Sequence, residues 1–537
     1  MPRLSPSKRC SVTTISDHGD IRVENIRQRF LSLTGLSSVQ VKTESAGPEV
    51  FLRFIVGRDA PLYRRALATI NQELPSEDPF HGRLSLSLER TGEILSSREV
   101  ELLRSLISRS LRVTRDKAAE GPVVQFVPFG GGEEHRASQP TNHAILGRRG
   151  VGKSTLILLA YHRIVRDGNL PVWLDLQAYS GRNDVGVTLQ VLRETFVESV
   201  AAVQKHFAGT DTGALQTAVQ DISRCIGRQQ NGATKENIRA LIPEIRLKTR
   251  QFTSNAQKKL YIFMDDAHLI GPEVQPMLFD VIHSVFKGSG GWLKIAGVKN
   301  LLRLYDQSSN VGLQYPHDVQ HILLDLTLVD PAAARDHLSG VLEQFSTSCG
   351  LKQTRQMIPD RAIDRLVWCA AGVPRDFLLL FERSVAFAVQ HRRRRVGVQE
   401  VNLAVGEFGQ QKMSELEQDT GEEGVLLRQG LDLLQRAALD DYKSNSFLIR
   451  QNRNHKGYKM LQKLVDLRLV HMIHPSITPG AAGEKYEAYL LDYSFYTGLR
   501  RRHGISELKI TANEPPKYAT LRKLPKIDLD TIYPSNL

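Results

Sequence analysis

The residues best suited to chemistry are a glycine-rich run carrying one lysine, Gly147-Arg148-Arg149-Gly150-Val151-Gly152-Lys153-Ser154, and a pair of carboxylates, Asp265-Asp266. The run matches G-x-x-x-x-G-K-[ST]. Glycines let a backbone curl until its N–H groups converge on an anion, and the N-terminus of the next helix adds its dipole. In such a loop Lys153 reaches the β- and γ-phosphates of a nucleotide, and the Ser154 hydroxyl ligates Mg²⁺. The cofactor-binding stretch runs from Gly147 through Thr155. A glycine turn without a ligand is the competing reading. The context opposes it, because an apolar strand (Ala144-Ile145-Leu146) precedes the run and an apolar helix (Thr155–Ile164) follows.

The carboxylates close a second apolar strand, Leu260-Tyr261-Ile262-Phe263-Met264. A strand that ends beside the loop places Asp265 to hold the water shell of Mg²⁺. Asp266 is then placed to orient or deprotonate an attacking water. Alone, an apolar strand ending in two acids is commonplace. Roughly 110 residues after a phosphate loop, it reads as a Walker B.

These groups need a scaffold, and the pattern around them supplies one. Residues 143–330 alternate short apolar runs with longer amphipathic stretches. The candidate strands are His143–Leu146, Pro171–Leu176, Leu260–Met264, Trp292–Val298 and Val319–Leu328, which predicts an α/β core with a parallel sheet covered on both faces. A polar insert around Gly209–Lys235 is expected at the surface. Residues 331–412 read as helices only. Before the core, a segment over 21–120 alternates in Val39–Glu44, Val50–Val56 and Arg83–Glu89, with helical spacing in Pro61–Leu74 and Ser96–Val113. It predicts a small α+β domain of unknown role. Residues 1–20 are expected to be disordered, and 506–537 to form an extended tail.

Loop, acids and scaffold together resemble the AAA+/STAND branch of P-loop ATPases, and most closely the origin-recognition initiator-like (ORC/CDC6-type) group. Asp265-Asp266-Ala267-His268-Leu269 is also similar to the acid-acid-Ala-His-Leu run of transposition-target and secretion ATPases. The resemblance implies a helical lid, ATP and Mg²⁺ as cofactors, and assembly into a homo-oligomer on ATP binding. It implies that Asn300, after the fourth strand, reads the γ-phosphate; a plain strand-end turn is the alternative. It implies that Arg375, in Gly372-Val373-Pro374-Arg375, reaches the phosphates from the lid, where the alternative is a helix residue facing water. Arg303 stands where an arginine finger would. The chain departs from many members in carrying Asp266 where they carry Glu, one methylene longer. Water positioning tolerates such a displacement poorly, so slow hydrolysis is expected. His268 is read as structural.

Residues 420–505 read as three helices and a hairpin: Val425–Leu439, Ser446–Ile449, Tyr458–Leu467, then Leu469–His474 and Tyr486–Tyr493. That order resembles the winged helix carried by initiator-type ATPases, with Tyr458–Leu467 as the helix entering a DNA major groove. The charge agrees in part. Lys and Arg number 71 against 58 Asp and Glu, a net +13, and residues 441–537 hold 16 against nine, or +7 of it. An excess of this kind favours nucleic acid as partner. Arg453, Lys456 and Lys459 are the residues placed for DNA contact, and Arg500-Arg501-Arg502 for backbone phosphate. The opposing reading is a solvated basic face on a domain that binds protein. The run Arg392–Arg395 reads as a solvated loop.

Composition narrows the class. At 537 residues, 41% hydrophobic and 24% charged, the chain has the balance of a globular protein of several domains. It holds no apolar run long enough to span a bilayer, no apolar stretch after MPRLSPSKRC, and four scattered cysteines (Cys10, Cys225, Cys349, Cys369). A cytoplasmic location with reduced thiols is expected. The leading expectation is an ATP-dependent switch associated with DNA and reset by hydrolysis. The alternative is a STAND-like signalling or anti-phage defence ATPase acting on a protein partner, with weak hydrolysis.

Overall fold

In this computed structural model the described residues are 21–46, 49–56, 60–88, 94–111, 127–228, 234–351, 353–420, 423–480, 483–497, 504–510 and 515–533. Two compact units divide the chain between Ser97 and Arg98. The first contains α1 (Ile21–Thr34), β1 (Gln40–Ala46), β2 (Glu49–Val56), α2 (Pro61–Glu73) and β3 (Leu84–Leu88). β1 runs antiparallel to β2, and α2 crosses over to bring β3 parallel to β2. Phe30, Leu52, Phe54, Leu67 and Ile70 fill the core beneath this sheet. The alternation read in the sequence becomes three strands, and Pro61, with its fixed φ, opens α2.

The second unit begins with α3 (Arg98–Ser110), which packs on two later helices, α10 (Pro331–Ser348) and α12 (Pro374–Gln390). Arg104 pairs with Glu382 of α12 at 2.7 Å. This helix, expected within the N-terminal domain, belongs to the second unit. Then come α4 (Glu133–Ser138), β4 (His143–Leu146), α5 (Lys153–Arg166), β5 (Leu170–Asp175), α6 (Gly186–His206), α7 (Gly213–Arg228), α8 (Lys235–Ala256), β6 (Leu260–Asp265), α9 (Gln275–Phe286), β7 (Gly291–Gly297), a small hairpin of β8 (Tyr305–Asp306) and β9 (Val311–Gly312), and β10 (Gln320–Leu323). The polar insert is largely helical. α7 buries Leu215, Ala218 and Ile222 between α6 and α8; residues 229–233 lie outside the described residues.

Five strands form one parallel sheet in the order β10-β4-β7-β6-β5. Both faces are covered. Ile145, Trp173, Phe263 and Ala296 pack under α5, while Ala144, Val172, Ile262 and Ile295 pack under α6 to α9. Residues alternate between the two clusters along β4, β5, β6 and β7, as a pleated strand buried on both sides requires. Register fixes the site. Leu323 pairs with Leu146, Leu146 with Gly297, and Met264 with Ile295. The carboxyl ends of β10, β4, β7 and β6 therefore emerge side by side. Loops leaving that edge form the crevice where open α/β sheets bind ligands.

Helices α10 (Pro331–Ser348), α11 (Asp360–Ala370), α12 (Pro374–Gln390) and α13 (Val398–Thr420) follow, the all-helical segment expected as a lid. The C-terminal part is α14 (Glu423–Gln435), β11 (Ser446–Arg450), α15 (Lys456–Asp466), β12 (Val470–Ile477) and β13 (Tyr486–Leu491), with β13 central in an antiparallel sheet. Here one expectation is overturned. Ser446–Ile449 is a strand paired with β13, and one helix lies between the first two strands of this sheet. Four consecutive buried residues are equally consistent with a short helix or a central strand, and β-branched and aromatic side chains tip it to strand.

The tail departs from expectation too. Ile527 N–H donates to Leu448 O (3.0 Å) and Leu448 N–H to Pro525 O (2.8 Å), extending the sheet beyond β11. After α16 (Tyr518–Leu521), α17 (Leu529–Ile532) packs on α14 and α15, burying Leu529 and Ile532. Apolar residues were present in the tail, but they were too sparse to show a period.

Candidate functional site

The glycine-rich run occupies the turn from β4 into α5. Gly147 has no room for a side chain: a Cβ would lie 2.5 Å from Leu324 O. Gly150 (φ 81) and Gly152 (φ 101) adopt left-handed conformations that other residues rarely hold. Lys153 is buried at the first turn of α5, and its ammonium donates to Gly147 O (3.1 Å) and Arg148 O (3.0 Å). Burial lowers its pKa, opposed by the charges of Asp266, Asp265 and Asp325. A buried cation resting on the loop's own carbonyls is placed to exchange them for phosphate oxygens.

Register brings Asp265, the last residue of β6, beside the loop. Its carboxylate accepts from the Ser154 hydroxyl, while burial and then the Asp266 charge push its pKa up. Asp266 is half-buried in a left-handed conformation (φ 52). These oxygen donors suit a hard divalent cation. Among the described residues no group of three or more His, Cys, Asp or Glu converges on a metal, so a cation held by Ser154 and Asp265 would complete its shell with phosphate and water. His268 is held neutral, pushed down to about 3 by burial and then by Lys153 and Arg149. An imidazole in that state donates no proton at neutral pH.

The arginines divide. Arg148 is buried, with Nε on Asp325 (2.7 Å) and Nη2 on Leu326 O (2.6 Å) and Ala371 O (2.9 Å). Its side chain ties the loop to β10 and the lid, leaving its backbone for a ligand. Arg149 and Thr155 lie half-buried at the loop. Val151 is buried in the core against α5. Arg375 opens α12 against the loop: its N–H donates to Gly150 O (3.2 Å), and a Cβ on Gly150 would meet its Cβ at 2.9 Å. Arg303 is engaged within the protomer, pairing with Asp306 (2.6 Å) and Glu273 (3.3 Å).

Asn300 follows β7 and is exposed. Its N–H donates to Asp466 Oδ2 at 3.0 Å, and its side chain also hydrogen-bonds that carboxylate. Asp466 closes α15, so the C-terminal part reaches the crevice. Sequence reasoning missed Asp466 and Asp325. Asp325 was findable, since it follows the apolar run Ile322-Leu323-Leu324, two residues beyond β10. Asp466 carried no signal, because its partner lies 166 residues away.

Arg453, Lys456 and Lys459 are exposed at the start of α15. The same turn borders the tail: Lys456 Nζ lies 5.7 Å from the centre of the Tyr533 ring, and His455 Nε2 lies 3.0 Å from Asp530. Residues 391–395 are exposed, consistent with a solvated loop. Arg500-Arg501-Arg502 lie outside the described residues.

The chain thus has an α/β core in which a glycine-rich loop joins a strand of the five-stranded parallel sheet to the helix that follows it. No protein-family model and no curated protein matches it. Solved structures similar to it include the ORC1 protein of Aeropyrum pernix in complex with DNA, at 15% identity over 72% of this chain and 93% of that one, with a TM-score of 0.37. Cdc6p from Pyrobaculum aerophilum is 13% identical over 70% of this chain and 94% of its own, with a TM-score of 0.34. The Aeropyrum pernix ORC2 protein, in ADPNP–ADP complexes, is 13% identical over 71% and 93%, with a TM-score of 0.35. These likenesses are loose, at 13–15% identity. No helix among the described residues is long and apolar enough to cross a membrane.

Proposed function

We propose that this chain binds ATP with Mg²⁺ at the carboxyl edge of the five-stranded sheet, hydrolyses it slowly, and uses nucleotide state to set the position of a DNA-associating C-terminal domain. The observation that supports this most is convergence: Lys153, Ser154, Asp265 and Asp266 meet the glycine loop, and Arg375 of the lid rests on Gly150. Lys153 would hold the β- and γ-phosphates, and the loop N–H groups would cradle them. Mg²⁺, held by Ser154 and Asp265, would neutralise charge on the phosphates. Asp266 would orient the attacking water from a shorter arm than Glu provides, so turnover is expected to be slow. Arg375 lies between loop and lid, so a phosphate it touches would draw the two together.

In this reading the C-terminal part is a winged helix presenting Arg453, Lys456 and Lys459 to DNA, and ATP binding favours a homo-oligomer. Anisotropy with labelled duplex DNA at about 50 and 200 mM salt, with and without ATP·Mg²⁺, tests it. Binding is expected to depend on ATP and to weaken by about a hundredfold across that range, as several phosphate contacts require. Absence of binding in either nucleotide state would leave the second reading, a STAND-like ATPase acting on a protein partner. One observation favours that alternative: the tail rests against the basic turn of α15 through Tyr533 and Asp530.

A further inference from the structure

We infer that Asp466 is a positioning residue of the nucleotide site: its carboxylate occupies the hydrogen-bonding groups of Asn300, so ATP binding and the seating of the C-terminal domain oppose each other. This rests on the proposed reading of Asn300 as the residue that senses the γ-phosphate.

Asp466 is only 6% exposed and is the last residue of α15. A buried carboxylate is costly, and one at a helix C-terminus also faces the negative end of the helix dipole. Neither the helix nor the burial favours an acid here. What favours it is Asn300, which offers both its backbone N–H and its side chain. The other charged groups facing Asp466 are Asp325 and Arg148. Arg148 is already committed to Asp325 and two carbonyls, so it neutralises Asp466 incompletely.

The carboxylate is not free to swing aside. Two residues on, Arg468 is fully buried with φ 64, and its guanidinium bonds Asp376 in the first turn of α12. The turn after α15 is therefore pinned to the sensor loop on one side and to the helix of Arg375 on the other. A γ-phosphate brought to Asn300 would add negative charge beside Asp466 and Asp325 in a poorly screened site. Relief requires the end of α15 to withdraw, and its attachments make that a movement of the C-terminal domain. ADP brings no group to Asn300 and leaves the seating alone. A ligand shifts such an equilibrium only by its differential affinity for the two states, and the γ-phosphate supplies that difference.

The test compares the full-length chain with Asp466→Asn, Asn300→Ala and the double variant, titrating each calorimetrically with ATPγS and with ADP in Mg²⁺. Asp466→Asn is close in shape and keeps an acceptor, but it removes the charge. It is expected to tighten ATPγS by about fivefold or more, with ADP changing less than about twofold. In the Asn300→Ala background the same substitution should give no selective gain. Parallel changes for both nucleotides, or none, would overturn the inference. A wild type that binds neither nucleotide, or a Lys153→Ala variant that binds both normally, would instead sink the ATP-binding reading, and this inference with it. Hydrogen exchange on the wild type decides the matter without any variant at Asp466: ATPγS, and not ADP, should speed exchange of the Asn300 amide and the end of α15. Equal exchange with both nucleotides would refute the opposition.

Discussion

Lys153→Ala is expected to lose tight ATP binding and turnover together, with hydrolysis down by about a hundredfold or more. The magnitude follows from the site's electrostatics. Lys153 is buried, its pKa is lowered by burial, and its ammonium is held by two backbone carbonyls. In the proposed function it becomes a partner of the phosphates, where charge develops during transfer. Alanine leaves the glycine cradle intact while removing its cation. The fold should tolerate the change, because a buried ammonium opposes folding. A lysine with a lowered pKa in the folded state withholds stability wherever the unfolded chain carries the proton and the folded one resists it. Lys153→Met, which keeps the stem, is thus expected to melt no lower than the wild type while releasing no phosphate. Phosphate release and thermal melting on both variants check the pair. Turnover surviving in either would place the chemistry elsewhere.

The loop and the acid pair were legible because their information is local. Gly147 to Ser154 lie within one turn and its helix, and Asp265 ends a strand whose six residues are all buried. Period and spacing report such features directly. The core strands were read to within a residue or two, except β10, which is shorter than the apolar run containing it. That run continues past the strand because Leu324 and Leu328 are buried in loop conformation. The C-terminal part was less legible. Ser446–Ile449 became a strand because β13 lies beside it, and β13 begins 36 residues later than Arg450 ends the run. Asp466, Arg468 and Asp376 showed nothing in sequence, since each is defined by a partner from another element. Arg148 shows a third case. It lies in the loop, and its side chain is engaged by Asp325 and by the Ala371 carbonyl.

Arg468→Ala should destabilise the junction of lid and C-terminal domain by about 3–5 kcal/mol, the usual result of leaving a buried charge without its counter-ion. Arg468 and Asp376 are both almost wholly inaccessible, and no solvent replaces the missing partner. Around them lies a second buried set: Lys412 of α13 pairs with Asp492 at 2.6 Å and donates to Arg468 O at 3.3 Å, while His471 Nε2 lies 2.9 Å from Asp492. Replacing both members of the first pair, Arg468→Met with Asp376→Leu, should recover most of the loss, since a buried ion pair exchanged for apolar side chains is often neutral or better. The second set carries its own signature. Burial alone would raise the Asp492 pKa, but Lys412 and His471 hold it well below the usual carboxylate range. A carboxylate depressed in this way contributes stability that is present above about pH 4 and is lost as pH falls further. Acid should therefore loosen this junction while the five-stranded core still holds. Urea unfolding at pH 7 and pH 3.5, followed by limited proteolysis, separates the two. The double variant should match the wild type at pH 7, retain the acid transition, and lose the difference between ATPγS and ADP in exchange at the end of α15. If that difference persists without Arg468 and Asp376, the junction is a support and the coupling between nucleotide and C-terminal domain runs through Asn300 and Asp466 alone.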